Sequence, residues 1–179
     1  VDKQIFGEGY GPEKIIGATL SHDNRYLMVT VSHGSAALKT ELYVQEIGKG
    51  RAFTPIVNDI DAVFSGAIGG DTLFMRTNWN APKYRLIKVD LRNPASAGWK
   101  DLLPEGQYVM SGVSTAGGRV FVSSLENVQT RIRAYSADGT LVTAVDLPGI
   151  GAVAFLPVNT SRTNNLQGRH LAIANGLFA

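Results

Sequence analysis

The sequence predicts an all-β protein: about three four-stranded antiparallel blades of a β-propeller, followed by a C-terminal tail that does not match them. Three observations carry this reading. A turn at Asp23-Asn24 recurs as Gly69-Gly70-Asp71 and as Gly117-Gly118. Asn24 to Gly70 is 46 residues and Gly70 to Gly118 is 48, within the period of about 40 to 50 residues typical of a blade. Each turn joins a small-residue stretch to a strongly β-forming one, a hairpin signal. The composition agrees: 20 glycines, 7 prolines, 44% hydrophobic and 18% charged residues in 179 suit many short strands linked by tight turns.

The first strand of each unit is predicted at Ile15 to Ser21, Val63 to Ile68 and Val109 to Ser114. Their Gly, Ala and Ser content has a cause, since innermost strands crowd around a propeller axis where bulky side chains would collide. The second strands are Tyr26 to Ser32, Thr72 to Asn78 and Val120 to Leu125. The third follow polar loops, at Glu41 to Ile47, Tyr84 to Leu91 and Arg131 to Ala137. Alternation of Leu86, Lys88 and Asp90 with Arg85, Ile87 and Val89 predicts one dry and one wet face there. The fourth are short, as rim strands can be: Phe53 to Val57, Trp99 to Leu103 and Leu141 to Val145. Pro82, Pro94, Pro104 and Pro148 fall between strands, where a missing N–H costs no ladder bond.

The chain therefore divides into a partial propeller at 1–153, with blades at about 13–60, 61–106 and 107–151, and a tail at 154–179. The tail reads as a truncated next blade or a frame-shifted stretch. A β-sandwich of twelve short strands is the alternative architecture, but it would not require turns at so regular an interval. Propellers hold four to eight blades. Three cannot close a ring, so the chain reads as a segment of a larger propeller or an arc that must associate.

Charge and composition exclude several classes. Up to Asp146 there are 15 basic and 15 acidic residues, and the net +2 comes from Arg162 and Arg169. No basic stripe points to nucleic acid. The absence of cysteine removes disulfides, thiolate metal sites and a cysteine nucleophile. The longest apolar runs, such as Ala152 to Leu156, are too short to cross a bilayer as a helix. Val1, with no charged segment ahead of an apolar one, reads as an internal start.

Ordered phrases then carry a family resemblance. Phe6-Gly7-Glu8-Gly9, Leu20-Ser21, Asn24-Arg25-Tyr26-Leu27, Val31-Ser32-His33-Gly34 and Thr40-Glu41-Leu42-Tyr43 are followed by Ala81-Pro82-Lys83-Tyr84-Arg85-Leu86-Ile87, Trp99-Lys100-Asp101-Leu102-Leu103-Pro104-Glu105 and Leu147-Pro148-Gly149-Ile150-Gly151. In this order and spacing they resemble the propeller of the prolyl oligopeptidase family over residues 5 to 153. The resemblance implies a seven-bladed propeller that caps an α/β-hydrolase domain, itself outside this chain, and filters by size the short proline-containing peptides reaching it. By motif position it places apolar Ile15 and, on the third strand, Gln45 at the substrate cleft. Gln45 departs from the smaller, less polar residue of some members. Core packing for Ile15 and a solvated face for Gln45 are the plain alternatives.

Catalytic signals are weak. No Gly-x-Ser-x-Gly elbow occurs; Gly112-Val113-Ser114-Thr115-Ala116-Gly117 is one residue too long and leads into a hairpin instead of a helix. His22, His33 and His170 read as surface histidines, without metal-ligand spacing. Asp59 and Asp61 read as a solvated link between blades, though two carboxylates two residues apart in an extended segment face the same way. Gly149-Ile150-Gly151-Ala152-Val153-Ala154 fits a dinucleotide fingerprint but lacks the acid about 20 residues on. The expected activity is therefore gating by a propeller segment, with no catalytic triad, cofactor, metal, nucleic acid or membrane partner. The rival readings are a free-standing partial propeller that binds proteins or peptides, and a small enzyme built on His22 and His33.

Overall fold

The computed structural model describes residues 4–147. They form three separate four-stranded antiparallel sheets in strict sequence order. The first holds β1 (Lys14–Leu20), β2 (Tyr26–His33), β3 (Thr40–Glu46) and β4 (Thr54–Val57). The second holds β5 (Phe64–Gly69), β6 (Thr72–Thr77), β7 (Arg85–Asp90) and β8 (Lys100–Leu103), and the third β9 (Val109–Ala116), β10 (Arg119–Glu126), β11 (Gln129–Tyr135) and β12 (Leu141–Val145). A single 3-10 turn at Ser96–Gly98 precedes β8.

The turns behave as their residues require. Asn24, Gly70, Gly117 and Gly118 all have φ between 55° and 73°, the left-handed region that Gly and Asn enter most readily. Short fourth strands pair only with the third, each across a register shift.

The second sheet lies between the other two, and this corrects the expectation of one wet face on β7 at Leu86, while Lys88 and Asp90 on that face stay partly exposed. Leu73, Met75, Ile87 and Val89 pack with Tyr26, Met28, Leu42 and Val44 of the first sheet. On the opposite face, Phe74 and Leu86 pack with Met110, Val120 and Val122 of the third. Leu86 sits on the supposedly wet side and is fully buried. Alternation marks one face as wet only when solvent covers it, and here another blade does.

Polar ties register the blades. The Thr40 hydroxyl donates to the Phe64 carbonyl at 2.7 Å and accepts from the Phe64 N–H at 2.5 Å. At the other end of the same interface, Arg25 Nη2 and Tyr26 Oη donate to Asp71 Oδ1 at 2.5 and 2.9 Å. The Thr115 hydroxyl donates to the Ile68 carbonyl at 3.0 Å, joining the third sheet to the second. The tail at 154–179, the Gly149 to Ala154 fingerprint and His170 lie outside the described residues.

Candidate functional site

The ties between blades orient them. Thr40 and Phe64 begin β3 and β5, and β3 runs parallel to β1 because both pair antiparallel with β2. The inner strands β1, β5 and β9 therefore all start at one end, called the upper end here, and their hairpin turns lie at the lower end. Together they make the axial wall, with β5 against β9.

A small residue is required at one point of that wall, Gly66, whereas a Cβ at Gly17 of β1 would meet open space. A Cβ added at Gly66 would lie 2.6 Å from the Phe74 carbonyl oxygen, so only glycine lets β5 approach its neighbour. A cleft of about 180 Å3 opens between the lower end of β1 and the flanks of β5 and β9, walled by Thr19, Leu20, Gly66, Ala67, Ile68 and Ser114.

Each residue singled out by the sequence can now be located. Ile15 pairs with Ser32 at the upper end and is 56% exposed. Gln45 pairs with Leu27, whose partner on β1 is Leu20, at the lower end. Five positions along β1 separate the two rows, roughly 16 Å at about 3.3 Å per residue, and an odd offset puts the side chains on opposite faces. The structure does not bring Ile15 and Gln45 together. The Gln45 amide instead donates to the Arg51 carbonyl at 2.6 Å and holds the β3–β4 loop.

His22 and Ser114 do line the same cleft. Among the described residues, no hydrogen bond joins them and no carboxylate is bonded to His22, so neither the base nor its orienting acid is assembled. His33 Nε2 lies 2.5 Å from Glu41 Oε1, while Lys14 Nζ approaches Nδ1 at 3.3 Å. Glu41 also accepts from Tyr10 and Tyr43, each at 2.7 Å. Burial alone would raise its pKa, but these three donors outweigh burial and hold the carboxyl below its ordinary range. Burial, a 3.0 Å hydrogen bond with the Tyr43 hydroxyl and the bond to Glu41 push Tyr10 upward. With Phe6 stacked on Tyr10 and edge-on to Phe53, the network fastens the segment before β1 onto the first sheet. Asp61 pairs with Lys39 at 2.8 Å. Among the described residues, no group of three or more His, Cys, Asp or Glu side chains could hold a metal ion.

One upper-end side chain escaped the sequence reading. Arg76 on β6 donates from Nε to the Met110 carbonyl of β9 at 2.7 Å, and its guanidinium lies 3.5 Å from the Tyr84 ring centroid. Nη1 makes a long 3.4 Å contact with the Ser65 hydroxyl of β5. Burial pulls its pKa below the ordinary arginine value. Strand parity carried the signal: Arg76 shares a face with Phe74 in a strand apolar on both faces, so it had to stand at a blade interface.

Residues 1–164 match the family described as the prolyl oligopeptidase N-terminal β-propeller domain. This match runs beyond Val153, where the recognisable phrases end. The prolyl endopeptidase of Elizabethkingia meningoseptica is 32% identical over 151 residues, 84% of this chain and 21% of that protein. The prolyl endopeptidase of Dictyostelium discoideum is 28% identical, over 86% of this chain and 22% of the relative. A chain solved in a structural and mechanistic analysis of two prolyl endopeptidases superposes with a TM-score of 0.71 at 28% identity, over 80% of this chain and 21% of its own length. Apo prolyl oligopeptidase B from Galerina marginata gives 0.70 at 26% identity, over 84% and 22%. The chain thus spans about a fifth of the relatives it matches.

Proposed function

Because the chain belongs to the prolyl oligopeptidase N-terminal β-propeller family, we propose that its three blades form one sector of a ring that confines short peptides over a catalytic domain supplied elsewhere in the protein. The observation that carries this reading is the axial wall: three consecutive inner strands, small-residue at the axis, backed by two continuous apolar interfaces. A wall of this kind works by exclusion. Its rim must be too stiff to admit a folded protein, and the buried Thr40–Phe64 exchange and the Arg25–Tyr26–Asp71 clamp supply that stiffness at both ends of the first interface.

Exposure supports Ile15 as an apolar side chain that meets the peptide: it is 56% exposed near the upper end of β1, where Ile16 and, on β9, Val109 are exposed too. Gln45 is committed to the loop carbonyl of Arg51 and serves the blade. The related chain solved in the analysis of two prolyl endopeptidases was described through inter-domain dynamics in catalysis and specificity. Motion between propeller and catalytic domain is the corresponding proposal for the whole protein here.

Chemistry by this chain alone is not part of the reading, because among the described residues Ser114 and His22 are not hydrogen-bonded to each other and no acid orients the imidazole. The purified chain is expected to leave a proline-containing reporter peptide intact. Turnover that copurifies with the chain through successive chromatographic steps would contradict this assignment.

A further inference from the structure

The arginines of the three sheets divide by partner. Arg25, Arg85, Arg92 and Arg133 each meet a carboxylate, of Asp71, Asp101, Asp90 and Glu126, while Arg119 and Arg131 have no carboxylate ion pair among the described residues but are exposed to water. Arg76 is half-buried and meets none among the described residues. It has a carbonyl, a hydroxyl at long range and the face of Tyr84. A guanidinium withdrawn from water is ordinarily paired, because neutral partners only partly replace its hydration.

Its position matters as much as its chemistry. Arg76 pairs with Ser65 in the second row from the upper end of the second blade. Ile15 pairs with Ser32 in the second row of the first, and Met110 with Ser124 in the second row of the third. An exposed apolar side chain on the axial wall and an uncompensated cation one strand behind it therefore stand at one level, on neighbouring blades. With Nε fixed on the Met110 carbonyl and one face laid over the Tyr84 ring, the guanidinium is oriented to offer its remaining N–H groups to a carboxylate.

We propose that Arg76, with the Ser65 hydroxyl beside it, anchors a carboxylate of a peptide held against the upper axial wall, either its C-terminus or an acidic side chain. The inference rests on the peptide-confining reading above. It adds a charge preference to what that reading treats as a filter of size alone.

The test uses the whole chain and three probes: an N-acetylated Gly-Pro-Gly peptide with a free C-terminus, its C-terminal amide, and an amide carrying one glutamate. Binding is measured by calorimetry and by the NMR shift of the Arg76 Nε–H at low salt. The two carboxylate-bearing probes are expected to bind roughly tenfold more tightly than the plain amide, with the advantage fading as salt rises. A larger advantage for the free C-terminus or for the glutamate probe identifies which carboxylate the site takes. Arg76→Gln is expected to reduce the advantage to under about twofold with the circular dichroism spectrum unchanged, and Arg76→Lys to leave an intermediate one. If Arg76→Gln does not fold, Arg76→Lys and Ser65→Ala decide, and an advantage unchanged in both overturns the proposal. Equal binding of all three probes overturns the anchor while leaving confinement standing. Failure of every probe to bind also overturns the anchor, whereas confinement stands or falls on the closed wall.

Discussion

Thr40 concentrates more of the fold's specificity than its size suggests. Its hydroxyl both gives and takes a proton bond with the backbone of Phe64, itself fully buried. Thr40→Val keeps the shape and strands the Phe64 N–H at a dry interface, a loss of about 1–3 kcal/mol. Urea unfolding of the two proteins would read this as a lower midpoint with little change in slope. Gly66 makes the complementary point, since any side chain there meets backbone. Residues of this kind were only half visible in the sequence. The small character of the inner strands was legible, because crowding at an axis is a general constraint. Thr40 was read as loop, because nothing in a polar residue next to Glu41 announces a carbonyl 24 positions away. Ile15 was placed by motif and found exposed on the innermost strand. Gln45 was placed the same way, yet its amide serves a local loop. Arg76 could have been found by parity, but the second strands were read only as strongly β-forming, without assigning their faces.

Turns decided how well whole elements were legible. Where Gly or Asn supplies the positive φ, as at Asn24, Gly70 and Gly117, the hairpins stand where the sequence put them. The third strand of the last blade was expected from Arg131, but β11 begins at Gln129. The tight turn before it uses Asn127 at φ 48° and Val128 at φ 64°, and a β-branched residue there is an outlier no turn rule would choose. Tyr84, expected to open β7, has φ 69° and closes the preceding loop instead. The β11–β12 turn gives an element-scale prediction. Asp138 accepts from the Ser136 hydroxyl and from the Thr140 N–H at 3.0 Å, which holds its pKa down to about 2 from 3.8. A depressed carboxyl stabilises the fold above its unfolded pKa and loses that contribution as pH falls through the folded one. Thermal midpoints of the wild type should therefore fall more steeply from pH 4 to pH 2 than those of Asp138→Asn. Parallel curves would show that the turn does not depend on this charge.

Across the whole molecule, recurrence was the most legible feature. Three sheets follow in sequence order with no strand exchanged, as the 46- and 48-residue spacings required. The middle sheet packs apolar side chains on both faces, while the first and third carry half-exposed apolar side chains: Ile16 and Leu20 on one, Leu125 and Leu141 on the other. Confinement is a property of the closed wall, so it is best measured where a catalytic domain is present. Grafting residues 4–147 over the matching segment of the Elizabethkingia meningoseptica enzyme gives that measurement: the ratio of kcat/KM for a short proline-containing peptide to that for a folded protein bearing the same site. The predicted ratio stays within about tenfold of the parent's, with folded protein still refused. A folded, active chimera that cleaves both substrates alike would contradict the assignment of these blades to the confining wall.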